Sequence, residues 1–493
     1  MRGIRLWLTI PWALCAIISM LAIISSPSMQ AGVHQARVYQ AQVYRTGVHQ
    51  AAGYETTVTV DTSGKVAGEI GNGYIGLSFE SGTLNSGKFN DVGDLAQLLR
   101  NLGGSVMRIG GNSVDRSYTR ITPVALAGLA RLVKAAGWTV LYSENLGHFN
   151  AARVTADVRA VRAALGSSLY AFACGNEPDD YTYSGLRPKA YTVSDYLAES
   201  AKCLAAIKAG APGAPLEGPD TGHSSLWLAT YAGRWAGQLR AIGQHYYALG
   251  CHTEGRSAAE LASTLLSPAQ AAKEATAFAQ YKADADIGGA PLLISETNSA
   301  CLGGFPGLSN SFAAALWVID YMLTGAENGV AGMDFHGSLS KSCSGYTPLC
   351  QVGPDEWGAQ PVYYGMLFTR LLGAGQLLPV TVSTSGNVTA FALDPDGGGG
   401  LRVIVENLSP RPADIALRVG GGTRTVSVLH LTASSLLATS GVRIQGARVA
   451  ANGTLHPGTP NTGRCFAGDC PVTLAPYSAA LVTEILPIGQ LFW

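Results

Sequence analysis

Two glutamates sit where paired acid–base chemistry needs them. Glu177 lies in Asn176-Glu177-Pro178, directly after the apolar run Leu169–Cys174, and Glu296 follows the apolar run Leu292–Ser295. Opposed carboxylates serve cleavage of a glycosidic bond. One protonates the leaving oxygen and the other attacks the anomeric carbon, with the carboxyls about 5–5.5 Å apart when configuration is retained. One of the pair has to keep a proton near neutral pH, which a negative neighbour favours. Asn176, beside the expected acid, is placed to hydrogen-bond a sugar 2-hydroxyl. Capping of a helix N-terminus accounts for either carboxylate alone, but not for both following strands at matching positions.

Further polar residues end other apolar runs. Glu80 closes Tyr74–Phe79, and an acidic group there needs a partner. His336 follows Gly332–Phe335 and is either a ligand contact or a satisfied core histidine. Tyr246 and Tyr247 are adjacent, so in a strand only one points to the mouth. Asp115 and Arg116 read as a simple ion pair.

The elements that position these residues form a repeating series. Eight β-rich runs begin at Tyr74, Ser105, Thr139, Leu169, Leu216, Ile242, Leu292 and Gly332. Between them lie Ala- and Leu-rich stretches at helical spacing, such as Leu95–Leu102, Val124–Ala136, Val154–Leu165, Val193–Ala209 and Ser311–Leu323. Eight β-then-α units predict an α/β chain, a (β/α)8 barrel over residues 70–375. Glu177 and Glu296 then follow strands four and seven and face each other across the barrel mouth. From 376 to 486 short alternating strands separated by Gly, Pro, Asn and Asp predict a C-terminal β-sandwich. Thr57–Asp61 has no place in the barrel, so residues 54–69 are expected to join the sandwich, with 487–493 a tail.

Residues 1–31 read as an export signal, or a retained anchor: Arg2 and Arg5 precede an apolar stretch, followed by small residues. Residues 32–53 read as a linker with GVHQA repeated, and His34 and His49 as part of it rather than as metal ligands. The chain of 493 residues has 33 basic and 33 acidic residues, which argues against a nucleic-acid partner. No membrane contact is expected beyond the N-terminal segment. Nine cysteines, one of them Cys15 in the export segment, suit an oxidising compartment, secreted or periplasmic. Cys343 with Cys350, and Cys465 with Cys470, are candidate short-loop disulfides. No CxxC metal knuckle occurs, and neither metal nor cofactor is expected. Asn387, Asn407 and Asn452 head N-x-S/T sequons.

The motifs GYIGLSFE (Gly73–Glu80), RIGGNSVD (Arg108–Asp115), ACGNEPD (Ala173–Asp179), GQHYY (Gly243–Tyr247), ISETNS (Ile294–Ser299), FHG (Phe335–Gly337) and GYTP (Gly345–Pro348) together resemble glycoside hydrolase family 79, the β-glucuronidases and heparanases. The resemblance spans about Thr57 to Glu484. It implies Glu177 as acid/base and Glu296 as nucleophile, in agreement with the spacing. It also implies that Glu80 and Asn176 bind sugar hydroxyls and that Tyr247 bonds the nucleophile or the sugar. Gly345 and Tyr346 would hold the substrate carboxylate through a backbone N–H and a phenol, and Gly303 and Gly304 would let the sugar approach the backbone. The activity implied is that of an exported, retaining exo-β-glucuronidase acting on terminal glucuronic acid, with or without a 4-O-methyl group, in a glycan or glycoside. An endo-acting enzyme of heparanase type is the alternative, but only nine lysines are present and no basic run lies in the barrel loops. A catalytically silent carbohydrate-binding relative is the other, and both carboxylates argue against it.

Overall fold

The computed structural model describes residues 54–117, 120–251 and 253–485. The expected signal or anchor (1–31), the linker (32–53) and the tail (487–493) lie outside the described residues.

Two strands, β1 (Tyr54–Val60) and β2 (Gly68–Ile70), precede the barrel. The barrel strands are β3 (Ile75–Glu80), β4 (Val106–Gly110), β5 (Thr139–Glu144), β6 (Leu169–Cys174), β7 (Glu217–Thr221), β8 (Ala241–Tyr247), β9 (Leu292–Asn298) and β10 (Val330–Gly337). All neighbours pair in parallel, in the order β6-β5-β4-β3-β10-β9-β8-β7. A bridge between Phe172 and Leu216 joins β6 to β7, with the Phe172 N–H donating to Pro215 O at 2.9 Å. Several strands extend past their apolar runs into polar residues at the mouth. Thus β7 includes Pro219 and Asp220, and β9 includes Glu296, Thr297 and Asn298.

The helices follow local rules. Pro123–Ala136 starts on Thr122, whose side chain accepts from the Ala125 N–H, has proline in its first turn, and ends at Gly137 with φ 73°. Leu126, Leu129, Leu132 and Val133 form its buried stripe. Phe312–Glu327 differs, being buried along nearly its whole length. An all-round apolar helix needs cover on every side. The barrel lies on one side. On the other lies the C-terminal part of the chain, where the Phe312 N–H donates to Ala438 O and the Ala313 N–H to Leu436 O. Four further helices, Ser225–Arg234, Ala258–Leu265, Pro268–Asp286 and Pro361–Leu372, and a hairpin of β11 (Leu349–Gly353) and β12 (Glu356–Ala359) after β10 add to the expected elements.

Beyond the barrel run β13 (Gly375–Leu378), β14 (Val380–Thr384), β15 (Val388–Pro395), β16 (Arg402–Asn407), β17 (Ala413–Arg418), β18 (Arg424–Thr432), β19 (Arg443–Ile444), β20 (Asn461–Cys465), β21 (Asp469–Leu474) and β22 (Ser478–Ile485). They form two sheets, β14-β1-β17-β21 and β19-β18-β22-β16-β15-β13-β2, with β20 beside β18. The N-terminal strand β1 lies between β14, antiparallel, and β17, parallel. Strand β2 pairs with β13 at an edge of the second sheet. Of the sequons, Asn452 is exposed. Asn387 donates to Leu266 O, and buried Asn407 spends its amide on Arg411 O and Ala475 O, which closes that site to a glycan.

Candidate active site

A cavity of about 530 Å³ opens at the C-terminal ends of the barrel strands. Glu80, Asn176, Glu177, Tyr247, Glu296, Gly303, His336 and Tyr346 all line it. The loops and strand ends thus gather residues spread over most of the barrel sequence.

Glu296, near the end of β9, is buried and held from several directions. The Arg108 Nη1 donates to its Oε2 at 2.8 Å and the Tyr247 hydroxyl to its Oε1 at 2.8 Å. His336 Nδ1 lies 3.5 Å from Oε2. Burial alone would raise this carboxyl, but the His336, His245 and Arg108 charges and the Tyr247 bond bring it down to about 2. It is therefore an ionised group in a largely dry setting, as a nucleophile requires.

Glu177 leaves β6 in the left-handed region, with φ 50° and ψ 58°. Asp220 is also left-handed, with φ 55°, and the Glu177 N–H donates to Asp220 O at 2.8 Å. Two non-glycine residues in this region, locked to each other, are strain of the kind that functional sites retain. Glu177 Oε1 is 3.0 Å from His245 Nδ1. His245 is fully buried on β8, with Nε2 3.6 Å from Asp220 Oδ1. Burial would lower its pKa, but the Glu296 charge and the bonds to Asp220 and Glu177, working against the nearby Arg108 cation, raise it to about 9. His245 is thus an imidazolium at neutral pH, between the side chains of Glu177 and Asp220.

Arg108 is the hub, with no exposed surface. Besides Glu296 it donates to Asp220 Oδ2 and, at 2.9 Å, to Asn176 Oδ1. With Oδ1 so engaged, the Asn176 amide nitrogen is buried without a hydrogen-bond partner. Beneath lie two more buried carboxyls, Glu217 and Asp334, both pushed well above the carboxylate range, chiefly by burial. Gly243 and Gly76 make room for them: a Cβ at Gly243 would come 1.8 Å from Glu217 Oε1, and one at Gly76 1.9 Å from Asp334 Oδ1.

Several expectations change. Asp115 does not pair with Arg116. Its buried carboxylate accepts from the N–H groups of Leu146, Gly147 and Asn176 and from the Tyr181 hydroxyl, and so fixes the loops after β5 and β6. A buried acid satisfied by four donors needs no counter-charge. Glu80 accepts from the N–H groups of Asn112 and Ser113 at 3.2 and 2.8 Å while still lining the cavity. The Tyr346 N–H is already spent on Gly303 O at 3.1 Å. Gly304 and Gly345 lie behind the wall rather than on it. A Cβ at Gly304 would meet the Tyr346 nitrogen at 2.9 Å, and one at Gly345 would meet Gly303 O at 2.2 Å. Their smallness brings the loops after β9 and β10 together. Tyr247 bonds Glu296 and stacks on Tyr346 at 6.1 Å, while the Tyr246 ring packs on Phe278 and Tyr321, although Tyr246 too lines part of the cavity.

Arg108, Asp220, His245, Glu217 and Asp334 received no role from the sequence. The available signal was an arginine inside the wholly buried strand VMRIG, since a buried guanidinium demands buried carboxylates.

Four disulfides brace the site and the sandwich. Cys174–Cys203 anchors the end of β6, Cys251–Cys301 joins the loops after β8 and β9, Cys343–Cys350 closes the loop carrying Gly345 and Tyr346, and Cys465–Cys470 links β20 to β21. Glu177, His245 and Glu296 also have atoms within 4.8 Å of one another, a spacing that suits a metal ion. The Arg108 cation and the raised imidazole occupy the same ground with positive charge, which disfavours a further cation.

The fold and the facing carboxylates define a (β/α)8 barrel of the glycoside hydrolase type with an appended β-sandwich. Among solved structures the chain is similar to a 4-O-α-L-rhamnosyl-β-D-glucuronidase from Fusarium oxysporum, with a TM-score of 0.72 and 22% identity over 87% of this chain and 100% of that one. It is also similar to a family 51 arabinofuranosidase from Xanthomonas axonopodis, with a TM-score of 0.64 and 14% identity over 87% and 100%. In sequence it is 26% identical over 313 residues to a β-glucuronidase of Aspergillus niger, covering 57% of this chain and 56% of the relative. It is 26% identical over 229 residues to a β-glucuronidase of Neurospora crassa, covering 42% and 40%. The chain thus spans about half the length of the curated relatives it matches. No protein-family model matches it.

Proposed function

We propose that this protein is an exported, retaining exo-β-glucuronidase. The observation that carries the reading is the carboxylate pair. Oxygens of Glu177 and Glu296 lie within 4.8 Å, Glu296 is held ionised, and Glu177 stands beside an imidazolium that can orient it. So close a pair supports direct attack by Glu296 rather than attack by an interposed water, which needs about 6.5–9.5 Å between carboxyls. Glu296 attacks the anomeric carbon and Glu177 gives its proton to the leaving oxygen. Glu177 then takes a proton from the water that releases the sugar. The amide of Asn176, a cavity-lining residue whose Nδ2 has no partner, is the proposed donor to the 2-hydroxyl. The Tyr346 phenol, on the cavity wall, is the proposed donor to the substrate carboxylate, and Gly345 serves by letting the loop that carries it pack on Gly303.

Similarity to two β-glucuronidases supports glucuronic acid as the sugar. Four disulfides support an oxidising destination. No described helix is long and apolar enough to cross a membrane. The absence of lysine among the cavity-lining residues supports exo action on a terminal sugar over cleavage within a sulfated polymer. A panel of p-nitrophenyl β-glucuronide, glucoside, galactoside and xyloside tests the reading, the glucuronide being turned over fastest. Glu296→Gln should abolish turnover. Glu177→Ala should slow substrates with poor leaving groups most and be rescued by azide as the β-glycosyl azide. Near-native rates in either variant would refute the assignment.

A further inference from the structure

The cavity is larger than one sugar ring, and its wall divides by origin. Glu80, Asn112, Arg116 and His336 come from β3, β4, β10 and the loops they open into. The other half is built from the loops after β6, β7, β8 and β9, which are neighbours around the barrel. Glu177 belongs to this second half, and a Cβ at Gly222 after β7 would touch its side chain at 3.3 Å. The proton leaves Glu177 for the departing oxygen, so the leaving group lies on this side.

Two features of this half have no part in handling the glucuronyl ring. The first is apolar exposure. Tyr183, on the loop after β6, is 93% exposed, and Leu302, on the loop after β9, is 86% exposed; both line the cavity. They are the two most exposed large hydrophobic side chains among the described residues. Leu302 also holds a left-handed φ of 56° beside Gly303 and Gly304. A bulky side chain is unfavourable there, and glycine would relieve the strain. The second is charge. Asp180, beside Glu177, lines the cavity and is faced by the exposed His223 at 3.6 Å, while the Asp179 carboxylate behind it accepts from the N–H groups of Gly222, His223 and Ser224. Arg116, the single arginine on the described cavity wall, is on the opposite half.

We infer that the loops after β6 to β9 form a leaving-group site for a neutral aglycone with an apolar ring face, gripped between Tyr183 and Leu302, and that its acidic floor rejects sulfated or uronic aglycones. This rests on the glucuronidase reading above. An aryl ring and the apolar face of a neutral sugar share this chemistry, and the aryl ring is the simpler probe. A ring laid on tyrosine gains about 0.5–1.5 kcal/mol beyond its buried area, roughly two- to tenfold in affinity.

The test uses 1-thio-β-D-glucuronides, which resist hydrolysis, as inhibitors of the full protein. The methyl, phenyl and 4-sulfophenyl compounds are compared. The phenyl compound should bind about five- to tenfold more tightly than the methyl, and the sulfophenyl compound more weakly than the phenyl. Tyr183→Ala and Leu302→Ser, both at exposed positions, should each move the phenyl-to-methyl ratio toward one. Inhibition by the methyl compound with no gain from phenyl, or tightest binding by the sulfophenyl compound, overturns the aglycone site alone. A ratio that neither substitution changes does the same. Failure of all three compounds to inhibit overturns the glucuronidase reading and this inference with it.

Discussion

Arg108 meets Glu296, Asp220 and Asn176 with one planar fork, so it helps hold Glu296 ionised and fixes the orientation of the Asn176 amide beside Glu177. Lysine keeps the charge but not the fork. Arg108→Lys should therefore lower kcat/KM for p-nitrophenyl β-glucuronide by about ten- to a hundredfold, the loss of one or two charge-assisted hydrogen bonds. An unchanged kcat/KM would refute it. Tyr346 poses a question of specificity instead. Its phenol is a proposed donor to the glucuronate carboxylate, so Tyr346→Phe should cost about tenfold or more on a β-glucuronide and little on slow β-glucoside hydrolysis. Equal losses on both substrates would make Tyr346 a general support of the site. At this scale the sequence exposes Glu177 and Glu296, because each stands at the polar end of an apolar strand. It hides Asp220 and His245, whose meaning comes from partners on other strands. Asp115 misleads because its neighbour in sequence offers a charge, while its partners in space are three backbone amides and a phenol.

The loops after β8, β9 and β10 act as one tied group. Cys251–Cys301 joins the first two, and the Tyr346 N–H to Gly303 O joins the last two. Cys343–Cys350 closes the third loop around Gly345 and Tyr346. A bridge across so short a loop contributes about 2.5 kcal/mol at most, yet it limits where the phenol can go. The double variant Cys343→Ser, Cys350→Ser should raise KM for the glucuronide severalfold while calorimetry shows a Tm change of only a few degrees. The reverse pattern would make the bridge a stability device. The elements themselves are largely legible, because Val-, Ile- and Leu-rich runs between Ala-rich amphipathic stretches report the barrel period. Their ends are not. Hydrophobic patterning stops at the first polar residue, whereas pairing continues through Asp220-Thr221 and Glu296-Thr297-Asn298. Those last residues find polar partners at the mouth that composition cannot reveal. Pro268–Asp286 escapes notice for a related reason: its buried face includes Gln270, Glu274 and Asp284, so the apolar stripe is broken.

Across the whole molecule, burial leaves many carboxyls protonated. Glu144, Glu217, Asp334 and Glu406 are pushed well above the ordinary range, Glu274 to about 8 and Asp320 to about 6, in each case chiefly by burial. Asp320, on the buried helix Phe312–Glu327, and Glu406, on β16, both reach Thr389 of β15 where barrel meets sandwich. Such groups bind protons in the fold that the unfolded chain gives up near pH 4. Their contribution is complete below that point and is lost as pH rises through each raised value. For Asp320 alone this is worth up to about 3 kcal/mol by pH 8. His245 adds to the alkaline loss, because its contribution fades as pH rises through about 9. Glu296 and Asp220 are depressed, so theirs is lost only as pH falls below the ordinary carboxylate range. Stability should therefore peak near pH 4–5. Calorimetry should give a higher Tm at pH 5 than at pH 8, and Asp320→Asn should narrow the gap, since asparagine is neutral at both. A Tm that is level from pH 5 to 8 in the wild type would refute this account of the buried acids. A gap that persists undiminished in Asp320→Asn would move its origin from the barrel–sandwich contact to the carboxyls inside the barrel.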